Sequence, residues 1–297
     1  VSNKPRKMTL EKKHNLTGWA FLAPATFLLV VFSFWPMIKA LVLSFQTGKG
    51  RNMQMAGFTN YIRMFQDDVF IQSIKNTFFY FIIQVPIMLV VALVLACILN
   101  KKDLRFKGFF RTMIFLPCTT SLVAYSIIFR SLFANDGLVN YVLVNLGILD
   151  KPYNFLTQPF AAKIVIILAL LWRWTGYNMV FFLSGLQNIE YSVYEAAKID
   201  GASAIQTFFK ITVPLLKPTI LLTAIMSTNG TLQLFDESIN LTDGGPANAS
   251  ISMSHYIYNL CFKYVPNFGY AAAMSFFILL LVAVLAFIQM RVGDKRD

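Results

Sequence analysis

The stretch YEAAKIDGASAIQTFFKITVPLLKP, Tyr194 to Pro218, lies between two hydrophobic runs. It is polar and helix-prone, with more structure than a connecting turn needs. On a helix, Tyr194, Ala197, Lys198 and Gly201 share one side, and Glu195 stands near the start, where a carboxylate suits the helix dipole. Ala196 and Ala197 carry little bulk, so a partner can approach the backbone closely. Gly201 can end or bend the helix and reverse the chain. This predicts a short docking helix followed by a turn. An interfacial helix with alanines chosen for propensity is the competing reading.

The flanking runs fix the solvent. The 297 residues are 57% hydrophobic and 13% charged, and the mean hydropathy is +0.59. A soluble surface of this size needs more charge. Lipid is the alternative, where a spanning helix needs about 20 mostly apolar residues. Six stretches qualify: Gly18–Phe45, Ser73–Leu99, Phe109–Phe133, Ala161–Leu186, Ile211–Phe235 and Tyr270–Met290. The alternating ten-residue strands of an outer-membrane barrel are absent. The expected fold class is therefore all-α integral membrane with six transmembrane helices.

Lys and Arg placement orients the chain. Lys4, Arg6, Lys7, Lys12 and Lys13 precede the first span, and Lys101, Lys102, Arg105, Lys107 and Arg111 cluster at the second loop. Lys198 and Lys210 lie in the fourth loop, and Arg291, Lys295 and Arg296 at the C-terminus. All fall on one side, taken as cytoplasmic, which places both termini there. Lys49, Arg51 and Arg63 dissent from the first external loop. The net charge of +12 is thus topological, and no nucleic-acid partner is expected.

The division follows: 1–15 a basic, poorly ordered tail, 16–72 the first span and external loop, 73–290 the transmembrane core including the loop 190–214, and 291–297 a cytoplasmic tail. The first span is too long for a signal peptide and has no small-residue cleavage site after it. Pro24 and Pro36 are expected to bend it. Leu138–Ile148 has the spacing of an interfacial helix, and Leu241–Pro246 (LTDGGP) reads as a turn. Cys97, Cys118 and Cys261 form no disulfide framework, and two distant histidines hold no metal.

EAA, three residues, Gly, nine residues and Ile-x-Val-Pro resembles the signature loop of binding-protein-dependent ABC importer permeases, with Val213 where Leu is usual. Gly108–Pro117 (GFFRTMIFLP), Trp172–Ile189 (WRWTGYNMVFFLSGLQNI) and LTDGGP extend the likeness over residues 16–290. Together they resemble the carbohydrate-uptake branch, similar to the large membrane subunit of the maltose importer. The resemblance implies a type I importer permease fold in a bacterial plasma membrane. It also implies a second permease subunit, two ATP-binding cassette subunits and an extracellular solute-binding protein as partners, with a sugar, an oligosaccharide by family likeness, as substrate.

The same resemblance implies that the helix around Ser192–Ile205 sits in an ATPase groove. Tyr194, Glu195, Ala196, Ala197, Asp200 and Gly201 would form the coupling surface. ATP closure of the ATPase dimer would then rock the permeases between inward- and outward-facing states. ATP and Mg are used by the partner ATPase. This sequence has no GxxxxGK[ST] loop, so no cofactor is expected on it and no catalytic or metal residue is assigned.

Neutral sugars bind through hydrogen bonds and packing of C–H faces on aromatic rings. In the fourth span Leu170, Arg173, Trp174 and Tyr177 follow i, i+3, i+4, i+7. In the fifth, Ser227, Thr231 and Leu234 follow i, i+4, i+7. The resemblance places these positions at the sugar site, with Arg173 and Trp174 bulkier than the family residues. An intramembrane cation must face a wet cavity or a partner carboxylate, and Asp236 is one structural alternative for Arg173. The tryptophans alternatively pack against lipid, and Ser227 and Thr231 permit close helix contact. Asn229 and Gln233 are expected to point elsewhere.

An ABC permease for glycerol phosphate or polyamine is the second reading, since Arg173 would suit a phosphate. An intramembrane enzyme lacks paired acids, a His cluster or a nucleophile–base pair. A stand-alone secondary carrier lacks an ionisable relay.

Overall fold

A computed structural model of the chain describes residues 9–48, 53–101 and 103–293. Lys4, Arg6, Lys7, Lys49, Arg51, Lys102, Lys295 and Arg296, and the side chain of Lys13, lie outside the described residues. The chain is helical almost throughout. Helix α1 (Leu10–Ser44) starts inside the stretch expected to be a poorly ordered tail. Its Pro24 lies inside the helix, and a π turn occupies Val30–Phe34 just before Pro36. A missing proline N–H is absorbed locally there without ending the helix.

Strands β1 (Gln46–Thr47) and β2 (Gln54–Met55) pair antiparallel, and α2 (Thr59–Met64) follows. Helix α3 (Asp68–Asn100) is capped by Asp67, whose carboxylate accepts from the Val69 and Phe70 amides. The third expected span is broken in two, α4 (Lys107–Thr119) and α5 (Leu122–Leu132), with a 98° bend. Helix α6 (Leu138–Asn145) forms within the stretch Leu138–Ile148 expected to be helical. Helix α7 (Pro159–Gln187) is unbroken, begins with a proline at its first position and has the most buried apolar stretch, 56%.

Helix α8 (Tyr191–Ile199) opens the loop where the sequence reading began. It is followed by α9 (Ala204–Leu215), which bends by 71° into α10 (Lys217–Leu232). Helices α11 (Asp236–Thr242), α12 (Met253–Tyr258) and α13 (Phe268–Gly293) complete the chain. Among the described residues, four helices are long and apolar enough to cross a membrane, or up to six spans if each bent pair counts as one. The expected six spans thus include two that are not straight rods.

Helices α3 and α7 form the most extensive pairing and carry α10 on a shared face. Gly176 of α7 lies so close to α4 that a Cβ there would sit 1.9 Å from the Ile114 carbonyl oxygen. Only a residue without a side chain permits this crossing. Helix α1 differs: none of its apolar window is buried, and Phe21, Phe32 and Trp19 are exposed. Its last part packs against α13.

Candidate functional site: a cavity between three spans

Helices α3, α7 and α10 enclose a cavity of about 380 Å³. From α7 it is lined by Leu170, Trp174 and Tyr177, and from α10 and its exit by Ser227, Thr231 and Leu234. Six of the seven residues expected at a solute site therefore meet around one space. The Trp174 and Tyr177 rings stand edge to face, 5.8 Å apart, and offer apolar faces beside hydroxyls. Leu234 lies past the end of α10, yet the Thr231 carbonyl still holds its amide at 3.2 Å. The i+7 spacing survives the end of the helix.

The seventh residue, Arg173, faces the other way. It is buried, and its guanidinium donates to the carbonyls of Pro117 at 3.3 Å, Thr120 at 2.8 Å and Cys118 at 3.3 Å, and to Thr120 Oγ1 at 3.2 Å. This corrects its assignment to the solute site, and its partner is neither a carboxylate nor Asp236. The physical reason lies in the broken third span. The Pro117 carbonyl still accepts from the Thr120 amide at 3.3 Å and hydroxyl at 2.7 Å, but the 98° bend interrupts the ladder for the carbonyls of Cys118 and Thr120, and inside a bilayer no bulk water replaces it. A cation at a helix C-terminus also suits the dipole. The same guanidinium lies over the Tyr125 ring at 4.7 Å, and the Tyr125 hydroxyl donates to the Glu237 carboxylate.

Two amides in the lining were not anticipated. Thr231 Oγ1 donates to Gln84 Oε1 at 2.8 Å, and Ser227 Oγ donates to Asn178 Oδ1 at 3.2 Å. Asn178 in turn donates to the Trp174 carbonyl at 3.0 Å. These bonds tie α10 to α3 and α7, so Ser227 and Thr231 serve helix contact and line the cavity at once. Gln84 carried a signal: an amide amid the apolar residues of the second span is costly unless paired. Asn178 stands four residues after Trp174, on the same face. Gln233, expected to point elsewhere, also lines the cavity, as do Asp236 and Glu237.

The coupling loop takes a definite shape. Helix α8 ends with the Ala202 amide on the Ala197 carbonyl at 2.9 Å and the Gly201 amide on the Lys198 carbonyl at 3.2 Å, a glycine-terminated cap. Gly201 has φ +78°. The helix expected around Ser192–Ile205 thus ends at a turn on Gly201, and a second helix starts with a capping box between Ser203 and Gln206. Ala197 is buried against the chain itself, whereas Glu195, Ala196, Lys198, Ile199 and Asp200 are exposed. This corrects the expectation that both alanines face a partner. Tyr194 is half-buried, its hydroxyl 3.4 Å from Thr212 Oγ1. Tyr191, Tyr194 and Lys198 line a groove of about 930 Å³ that they share with Asn100, Lys101 and Asp103. The basic second loop and the coupling loop thus lie side by side, as the one-sided charge distribution requires.

Residues 68–296 match the model of the binding-protein-dependent transport system inner membrane component. The chain belongs to that family. The permease is 51% identical over 292 residues, 98% of each chain, to the lactose transport system permease protein LacF of Rhizobium radiobacter. It is 30% identical to the sn-glycerol-3-phosphate transport system permease protein UgpA of Agrobacterium fabrum, over 95% of this chain and 96% of that one. A crystal structure of a bacterial ABC transporter involved in the import of the acidic polysaccharide alginate has a chain of the same fold. Its TM-score is 0.84 at 24% identity, over 95% of this chain and 96% of that one. The permease is a multi-pass membrane transport component and not an enzyme.

Proposed function

We propose that this permease forms one half of the translocation pathway of an ATP-driven, binding-protein-dependent importer of sugars of disaccharide or short oligosaccharide size, in a bacterial plasma membrane. The observation that carries this reading is the cavity itself. It joins two aromatic rings with the hydroxyls and amides of Ser227, Thr231, Gln84 and Asn178, the combination that holds a sugar by its C–H faces and its hydroxyls. High identity to a lactose permease over the whole chain supports the same substrate class.

Helix α8 receives the ATPase, with Glu195, Ala196 and Asp200 outermost. A second permease completes the pathway, two cassette subunits hydrolyse ATP with Mg, and an extracellular solute-binding protein delivers the sugar. Both termini face the cytoplasm, on the side of the Lys and Arg clusters. A phosphate substrate would favour a cation at the cavity, and Arg173 is directed away from it, so the glycerol phosphate reading loses its support.

Uptake by the reconstituted complex is measured against labelled mono- and oligosaccharides, with glycerol phosphate included. Saturable, ATP-dependent uptake of a di- or oligosaccharide is expected. Uptake of glycerol phosphate alone would overturn the reading.

A further inference from the structure

The cavity has a charge character that its sugar-binding groups do not require. Asp236 and Glu237, the first two residues of α11, both line it, and no Lys, Arg or His is among the residues that do. Glu237 is 4% exposed and is held by the Tyr125 hydroxyl. Asp236 is half-buried, and its carboxylate has no side-chain partner among the described residues. The guanidinium of Arg173 directs its Nη1 and Nη2 groups at the carbonyls of Pro117, Cys118 and Thr120 and does not line the cavity.

We infer that Asp236, backed by Glu237, is a specificity determinant that makes the cavity accept neutral or cationic saccharides and reject anionic ones. This rests on the sugar reading of the cavity. Two like charges about 6 Å apart in a partly desolvated site repel by an amount that corresponds to at least a tenfold loss of affinity. A neutral sugar meets no such repulsion, because a carboxylate is acceptor-only and takes hydrogen bonds from sugar hydroxyls. An anionic ligand finds no compensating donor cation, and its own carboxylate cannot donate. The filter lies in the permease and acts on whatever a binding protein has delivered.

Three probes of equal size separate charge from shape: lactose, lactose oxidised to the carboxylic acid at C6 of galactose, and lactose aminated at that carbon. Their dissociation constants are measured by equilibrium dialysis on the purified complex without its binding protein. The acid is expected to bind at least tenfold more weakly than lactose, with the gap shrinking as salt rises, and the amine at least as tightly as lactose. In Asp236→Asn the acid-to-lactose ratio narrows to about threefold or less, and in Asp236→Lys it falls below one. Equal binding of all three to the wild-type complex overturns the charge filter and leaves the sugar reading intact. If none of the three binds, the sugar reading fails and the filter with it.

Discussion

The Arg173 guanidinium and the Thr120 carbonyl, 53 residues apart in the chain, meet at 2.8 Å. That bond closes a gap left by a broken membrane helix, so Arg173 holds a bend and does not line the cavity. Arg173→Met takes the guanidinium donor from the Cys118 and Thr120 carbonyls, while Pro117 keeps the Thr120 amide and hydroxyl, at a cost of about 1–3 kcal/mol. The purified complex is expected to melt a few degrees lower, while the apparent KM for sugar stays within twofold of wild type. A large rise in KM at unchanged melting temperature would return Arg173 to the solute site.

Gly176 and Ile114 make a second test of the same region. Any side chain at 176 meets the Ile114 carbonyl oxygen, so Gly176→Val should prevent α4 from seating on α7. Little assembled complex is expected in detergent extracts. Normal assembly would mean that the crossing of α4 and α7 adapts freely.

Trp174→Ala and Tyr177→Ala each remove one ring from the cavity wall. Transport should fall at least tenfold for either, with subunit assembly unaffected on size-exclusion chromatography. Normal transport by both variants would place the solute elsewhere.

Gly201 separates backbone strain from steric clash. A Cβ there touches nothing within 4 Å, yet φ is +78°. Gly201→Ala should therefore cost only the left-handed strain of about 1–2 kcal/mol. Reduced uptake and reduced sugar-stimulated ATP hydrolysis are expected, with the binding protein's affinity unchanged. Glu195→Lys should give the same pattern through the exposed face of α8. Wild-type coupling in both variants would remove α8 from force transmission.

Acid should loosen the N-terminal end of α3. Burial raises the pKa of Asp67, but hydrogen bonds from the Tyr256 and Tyr270 hydroxyls and the Phe70 and Val69 amides outweigh it, so the folded value lies below the ordinary 3.8. Stability from this carboxylate is then complete above pH 3.8 and is lost as pH falls through the depressed folded value. Acid unfolding of Asp67→Asn should lack that component. Identical acid profiles for the two proteins would show that the cluster contributes nothing.

The sequence exposed some of this architecture and concealed the rest, for identifiable reasons. Spacing on α7 and α10 brought six cavity residues to one face, because helical periodicity is a local property. Arg173 has the same periodicity and the opposite direction. Its partner is a set of backbone carbonyls, and those became available only because the third span breaks at Thr119–Leu122. Hydropathy reads Phe109–Phe133 as one rod, since a bend changes no side chain's polarity. The burial of Ala197 was equally hidden: it depends on how α8 lies on its own chain, whereas Gly201 announced its turn directly.

The break at Leu216 has one further consequence. Leu216 is 1% exposed and lies against α7, within 2.8 Å of where a Cβ on Gly185 would be. It is a seated pivot between a short arm, α9, and a long arm, α10, set 71° apart. In such a bell crank, a push along the short arm reaches the long arm as a mostly sideways stroke. Ser227 and Thr231 ride on that long arm, so a stroke would draw them across Asn178 and Gln84. The hydroxyl–amide pairs of the cavity wall would then part as the handle moves.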